Sequence, residues 1–277
     1  MRQIFKGCLM AVAAAMFVGM PLDDAFGQKA EGFCNNYNYS SDSRSSFNEV
    51  REFTLPGGRL SVDGHKNGGI AVRGADVGQI TVQVCVVAWG STDDAAQATA
   101  RNIRIETGGT VRAVNDSDES KWSVSYLITV PRNTDLELKA SNGGIAISGV
   151  EGSIEFETVN GGVSLKDVAG DVRGRTTNGG VKVSLSGTTW SGSGLDVATT
   201  NGGVKLELPT LYSANIETGT VNGGFTSEIQ GLDVEPTTER GHRPKRVSSS
   251  LNGGGAPIKV FTTNGGVKIT SADGRVM

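Results

Sequence analysis

The sequence predicts an all-β chain wound as a single-stranded parallel β-solenoid, with coils of about 18–23 residues and one short helix in its N-terminal half. Three observations predict it. First, Asn-Gly-Gly occurs eight times, at Asn67, Asn142, Asn160, Asn178, Asn201, Asn222, Asn252 and Asn264, and from Asn142 on the spacings are 18, 18, 23, 21, 30 and 12. Near-regular self-similarity of this period marks a stacked repeat. Second, six of these turns share one frame, with apolar residues at strict period two on either side, so each flanking strand buries one face. Third, the outward positions of that frame tend to alternate in charge from repeat to repeat, which suits strands stacked in register. Asn-Gly between alternating apolar runs is also the strongest hairpin signal, so an antiparallel meander or sandwich is the alternative.

Residues 1–27 read as a signal peptide. Arg2 and Lys6 form a charged start, Gly7 to Met20 an apolar run, and Ala25-Phe26-Gly27 a cleavage site before Gln28. The apolar run is short for a membrane span and is followed by Asp23 and Asp24. Cys8 follows Lys6 and precedes most of the apolar run, a poor context for lipidation. Residues 28–48 are rich in Asn and Ser and read as an irregular lead-in, so the folded unit is expected over 49–277. Strand patterning begins near Val50 and breaks at Pro56-Gly57-Gly58. Leu60, Val62, Ile70 and Val72 continue it around Asn67-Gly68-Gly69, and Ile80 to Val87 reads as a strand buried on both faces. Ser91 or Thr92 can cap a helix over 93–102, with Asp93 and Asp94 in its first turn and several alanines behind them. Strands resume at Ile103, Ile105, Val111 and Val114, turn at Asn115 to Ser120, and run from Trp122 to Pro131, completing an N-terminal part over 49–135.

The repeats occupy 136–277. Six residues before each Asn stand Leu136, Ile154, Val172, Leu195, Ile216 and Ile258; two before stand Ala140, Thr158, Thr176, Thr199, Thr220 and Thr262. Three after stand Ile145, Val163, Val181, Val204, Phe225 and Val267. Four before, Gly174 and Thr218 interrupt an apolar column of Leu138, Phe156, Val197 and Val260. The corners are therefore Asn142-Gly143, Asn160-Gly161, Asn178-Gly179, Asn201-Gly202, Asn222-Gly223 and Asn264-Gly265. Stacked Asn side chains can bond to one another, and the Thr column offers a second ladder. The paired glycines are expected to permit positive φ. Asn67 stands outside this frame by distance and Asn252 by register. The stretch 231–257, with Gly241-His242-Arg243-Pro244-Lys245-Arg246, reads as an exposed loop insert.

The formal net charge of −3 and the absence of a basic excess argue against nucleic acid as partner. After signal removal two cysteines remain, Cys34 and Cys85, and an even count in an exported chain favours a disulfide over two buried thiols. Such a bond would stabilise by roughly 4 kcal/mol in the chain-entropy model. No cysteine or histidine cluster suggests a metal, and no phosphate-cradling glycine loop suggests a cofactor, so none is expected. A glycosidase would need two facing carboxylates. Glu155, Glu157, Asp167 and Asp171 are the candidates, but the first two fit the charge columns and the last two flank Gly170 in a connection. His65 and His242 lie in Gly- or Pro-rich turns with no evident nucleophile. Two surface features remain. Lys182, Lys205 and Lys268 each stand four residues after a corner Asn, and Lys182 and Lys205 would share a basic stripe on adjacent coils. The stripe could meet an anionic glycan or lipid head group, or serve only to discourage edge pairing. The His242–Arg246 segment is either a solvated loop or a contact for an anionic surface.

The segment Gly68-Gly69-Ile70-Ala71-Val72-Arg73-Gly74, the Ala-rich helix, Ile128-Thr129-Val130-Pro131 and the serial Thr-x-Asn-Gly-Gly turns through Ile269 together resemble a bacterial family of exported, adhesin-like domains of unknown function. The resemblance implies a repetitive β-fold in the cell envelope or outside the cell, and no known ligand. The expected function is a non-enzymatic adhesin-like module, periplasmic, cell-surface or extracellular, with a glycan, an envelope component or a protein as partner. No transmembrane segment is expected after signal cleavage. A polysaccharide-acting lyase or glycosidase and a periplasmic envelope-maintenance factor are the alternatives.

Overall fold

The computed structural model describes Cys34 and residues 45–116, 121–232 and 245–273. The expected signal peptide, most of the lead-in, and Gly241 to Pro244 of the basic segment lie outside these residues. Among the described residues the chain is nearly all-β with one helix, and its architecture is solenoid-like with no closed barrel. The strands are β1 (Ser45–Pro56), β2 (Leu60–Asp63), β3 (Ile70–Ala75) and β4 (Gln79–Gly90). After helix α1 (Asp93–Asn102) come β5 (Arg104–Glu106), β6 (Thr110–Val114), β7 (Trp122–Pro131), β8 (Leu136–Ala140), β9 (Ile145–Ser148), β10 (Glu151–Thr158) and β11 (Val163–Lys166). Then follow β12 (Ala169–Asn178), β13 (Val181–Ser184), β14 (Gly194–Asn201), β15 (Val204–Leu208), β16 (Ala214–Asn222), β17 (Phe225–Ser227), β18 (Lys245–Leu251), β19 (Pro257–Asn264) and β20 (Val267–Ser271).

These strands form two ten-stranded sheets among the described residues. The first is ordered β1-β4-β7-β3-β9-β11-β13-β15-β20-β17, and the second β18-β16-β19-β14-β12-β10-β8-β2-β6-β5. Each coil lays a strand in the second sheet, turns at its corner, and lays a short strand in the first. Pairing between coils is parallel and places like on like, with Leu136 beside Ile154, Val172 and Leu195 in turn. The inward columns of both sheets are buried in one core. Burying such Val, Leu and Ile side chains contributes about 1.5–3 kcal/mol each. The break in the column at Gly174 has a steric cause. Phe156 lies beside Gly174 in register, and a Cβ on Gly174 would sit 2.2 Å from the Phe156 ring. One large side chain fills two places.

Three expectations about the solenoid need correction. The coils do not stack in chain order. The β19–β20 coil lies between the β14–β15 and β16–β17 coils, and β2–β3 lies inside the later β6–β7. Electrostatics favour this arrangement. In chain order Asp196 would face Glu217; instead Lys259 stands between them in register, with its Nζ 3.3 Å from Glu217. Second, the solenoid is not parallel throughout. β4 pairs antiparallel with β7, β1 with β4, β5 with β6, and β18 with β16. Antiparallel strands thus cover both ends of the second sheet and one end of the first, where open edges would invite pairing with other chains, while the three-residue parallel strand β17 ends the first sheet on the other side. Third, the insert is not all loop, since Lys245–Leu251 is a strand. Nor does the lead-in extend to residue 48, because β1 starts at Ser45.

Helix α1 packs on the core-facing side of β4 and β1, burying Ala96 and Ala100. Thr92 caps its start by accepting from the Ala95 N–H at 3.2 Å. Arg51 of β1 donates to the carbonyls of Ala100 and Ile103 at its other end, where a cation suits the helix dipole. Cys34 and Cys85 form a disulfide with their Cα atoms 5.4 Å apart. Cys34 thereby joins Cys85, Val87, Trp89 and Leu127 in a small apolar cluster separate from the main core.

Candidate functional site

The corners form one continuous ladder. Each Asn Nδ2 donates to the Asn Oδ1 of the neighbouring coil in the order Asn67, Asn142, Asn160, Asn178, Asn201, Asn264, Asn222. Five of the six bonds are 2.8 Å and the one to Asn67 is 3.2 Å. Asn67 therefore belongs to the stack, although distance in sequence set it apart. Asn252 lies outside it, with φ of 49° and its amide donating to the carbonyls of Thr210 and Tyr212. The Thr column is not a hydroxyl ladder. Thr158, Thr176, Thr199, Thr262 and Thr220 each donate to the first-glycine carbonyl of a neighbouring corner, at 2.7–2.8 Å.

The glycines serve close approach, not positive φ. None of the ladder corners has a glycine with positive φ. A Cβ on Gly143, Gly161, Gly179, Gly202, Gly223 or Gly265 would lie 1.9–2.1 Å from the carbonyl oxygen of the next coil's first glycine. That space does not exist. At the second glycine, a Cβ on Gly162, Gly180, Gly203 or Gly266 would make ordinary contact at 3.4–3.5 Å. The corners are thus occupied by their own packing and hydrogen bonds, which leaves the outer faces for partners.

The two outer faces differ. On the second sheet one column runs Glu155, Arg173, Asp196, Lys259, Glu217 in register, and its neighbour runs Arg112, Asp63, Lys139, Glu157, Arg175. Signs alternate along these runs, although Glu137 stands beside Glu155 at the start of the first column; Arg175 pairs with Asp196 at 2.9 Å and Arg246 with Glu217 at 2.9 Å. Arg246 also lies over the Phe261 ring at 5.3 Å, reaching across the bare position of Gly219. Glu155 and Glu157 are therefore members of a charge lattice. Asp171 pairs with Arg173 at 3.1 Å, and Asp167 sits in a connection with φ of 51°. His65 has its own turn, its backbone N–H donating to the Asp63 carboxylate and its ring 5.7 Å from that of Trp122. His242 lies outside the described residues.

On the first sheet the outward column runs Ala146, Ser164, Lys182, Lys205, Lys268, Thr226. The out-of-order coil brings Lys268 directly beside Lys205, so three lysines stand on consecutive strands, roughly 4.8 Å apart. The next outward column contains Arg73, Ser148, Lys166, Ser184, Glu207 and Thr270. Glu207, which the sequence reading missed, is the acid beside the lysine row. Its carboxylate lies 2.6 Å from Lys205 and 3.4 Å from Lys182, and accepts from the Ser184 hydroxyl at 2.7 Å. Burial alone would raise its pKa; hydrogen bonds from Lys205 and Ser184 and the charges of both lysines outweigh burial and hold it at about 2. The period-two spacing in Lys205-Leu206-Glu207 was the available signal.

Among the described residues no group of three or more His, Cys, Asp or Glu side chains could hold a metal ion, and no helix is long and apolar enough to cross a membrane. No curated protein matches the chain. Among solved structures it is similar to a candidate cell-adhesion protein from Clostridium sporogenes ATCC 15579, at 11% identity and a TM-score of 0.37, over 82% of this chain and 100% of that one. It is also similar to a candidate adhesin from Bacteroides fragilis NCTC 9343, at 11% identity and a TM-score of 0.31, over 81% and 97%. The Toastrack model, DUF4097, matches residues 36–270. With most of its length inside that match, the chain belongs to the Toastrack DUF4097 family.

Proposed function

We propose that the protein is an exported, non-enzymatic, adhesin-like binding module of the cell envelope or extracellular space, engaging glycan or protein through a flat sheet face. The observation that carries this reading is the Lys182–Lys205–Lys268 row. Like charges directly opposite one another in a sheet are destabilising, and the second sheet avoids them over most of its outer face. A local departure from the pattern that stabilises the rest is where function is expected. A rigid face of this kind works by many weak contacts in parallel. The disulfide supports an oxidising compartment. The test is retention of the purified protein on envelope preparations and on a glycan and matrix-protein array, after cell fractionation has located it. Retention lost when the three lysines become Gln supports the reading. Silence on every surface, or strictly cytoplasmic protein, would sink it.

A further inference from the structure

We infer that the first-sheet face binds a linear, carboxylate-bearing polysaccharide laid along the stack axis over Lys182, Lys205 and Lys268, with Glu207 as the counter-ion that the polymer displaces. The inference rests on the proposed function and names its ligand class. Four observations lead to it. The lysines form a single line across three strands, which matches a chain-like anion more closely than a planar one. The line spans two strand intervals, roughly 10 Å, so a ligand must carry charges repeated over that length.

The flanking residues narrow the chemistry. Around the row stand Ser164, Ser184, Thr226 and Thr270, whose hydroxyls can donate to and accept from sugar hydroxyls. Among the described residues no aromatic side chain stands in the register positions flanking the row to stack on nucleic-acid bases. Among the described residues no large apolar side chain stands in those flanking positions to enter a lipid surface, as membrane-binding faces require. Lys166 and Arg73 add positive charge on the same face toward the N-terminal coils.

Glu207 makes the site self-screened. It holds Lys182 and Lys205 in place through contacts at 3.4 and 2.6 Å while the face is empty. A carboxylate of the ligand would take over those contacts. Removing the Glu207 charge should therefore strengthen polyanion binding, whereas a merely structural ion pair would lose order and binding together.

The experiment measures affinity of the full exported protein for polygalacturonate at several salt concentrations, with galacturonate monomer, neutral dextran, single-stranded DNA and anionic phospholipid vesicles in parallel. Expected are binding to polygalacturonate that weakens with salt, no binding to monomer or dextran, and weaker binding to DNA and vesicles. Lys182→Gln/Lys205→Gln/Lys268→Gln should lose about tenfold or more, and Glu207→Gln should gain a few-fold. Arg173→Gln on the opposite face is the control and should bind as the native protein does. Circular dichroism checks that each variant is folded. Equal loss from Arg173→Gln, weakened binding by folded Glu207→Gln, or tighter binding to DNA or vesicles would each overturn the inference. If the protein is retained on envelope surfaces but ignores polygalacturonate, the ligand class is wrong and the adhesin-like reading stands. If it is retained nowhere, that reading falls too.

Discussion

Gly161→Ala and Gly162→Ala change neighbouring glycines by the same methyl group and should have very different effects. At Gly161 the new Cβ would lie 2.0 Å from the Gly143 oxygen and 2.4 Å from its carbonyl carbon. Both are backbone atoms, so relief requires separating two coils. Overpacking of this kind costs about 1–3 kcal/mol. Separation would also weaken the Asn160–Asn142 bond and the Thr158 bond to the Gly143 carbonyl, adding about 1 kcal/mol each. The expected total is roughly 3–5 kcal/mol. At Gly162 the Cβ would meet the Gly180 oxygen at 3.5 Å, an ordinary contact, and the residue has no positive φ to lose. There the change should fall within about 1 kcal/mol of neutral, with a gain from reduced unfolded-state entropy offsetting small losses. Urea unfolding followed by far-ultraviolet circular dichroism reads both. In thermal melts the first should lower Tm by roughly 6–20 °C, the second by at most a few degrees. Equal losses, or a larger loss at Gly162, would mean that the corner glycines are required for backbone conformation and not for close approach.

Other outcomes follow from the packing and charges. Gly174→Ala should destabilise by about 1–3 kcal/mol because its Cβ meets the Phe156 ring, and Phe156→Leu in the same chain should recover part of that loss; a double-mutant cycle showing no coupling would contradict it. Lys259→Glu should cost about 0.5–1 kcal/mol more than Lys259→Gln, since it sets three acids side by side at Asp196, 259 and Glu217; equal chemical denaturation midpoints would argue against the charge column. Glu207 has its folded pKa at about 2, below its ordinary 4.5, so its contribution is complete above about pH 4.5 and lost as pH falls toward 2. The Tm of the native protein should therefore drop more steeply across that window than that of Glu207→Gln, and parallel curves would remove the assignment. Reducing the Cys34–Cys85 bond should lower stability by about 2–4 kcal/mol, and an unchanged urea midpoint with reductant would refute this.

The corners, the inward columns and the helix were legible because each rests on local rules: period two, a cap residue and a repeated turn. Stacking order was not, because every corner carries the same three residues and so labels no coil. The charges did hold the information, since Asp196 and Glu217 are poor neighbours and Lys259 fits between them. The role of glycine was hidden too, because positive φ and close approach select the same residue. β1 was read late because its core-facing column includes Glu49 and Arg51, and Arg51 serves the helix end. The serines of β18 masked a short alternation of Val247 and Leu251 toward the core. Lys268 was placed on the right face but not beside Lys205, for the same reason that the coil order was missed.

The position of the Pro257–Ser271 coil has a consequence in time. A solenoid stacked in chain order can grow at one end as the polypeptide emerges, each coil settling on a finished one. Here β16 and β17 are made before the coil that must separate them from β14 and β15, and their place is fixed only when the last strands arrive. At the other end β2 and β3 wait in the same way for β6 and β7. A late insertion is therefore expected, because until residues 257–271 are made the place between β14 and β16 is a slot flanked by strand edges. Losing the C-terminal coil would not shorten the stack from its tip; it would remove a rung from within and leave the final coil with nothing to stand on.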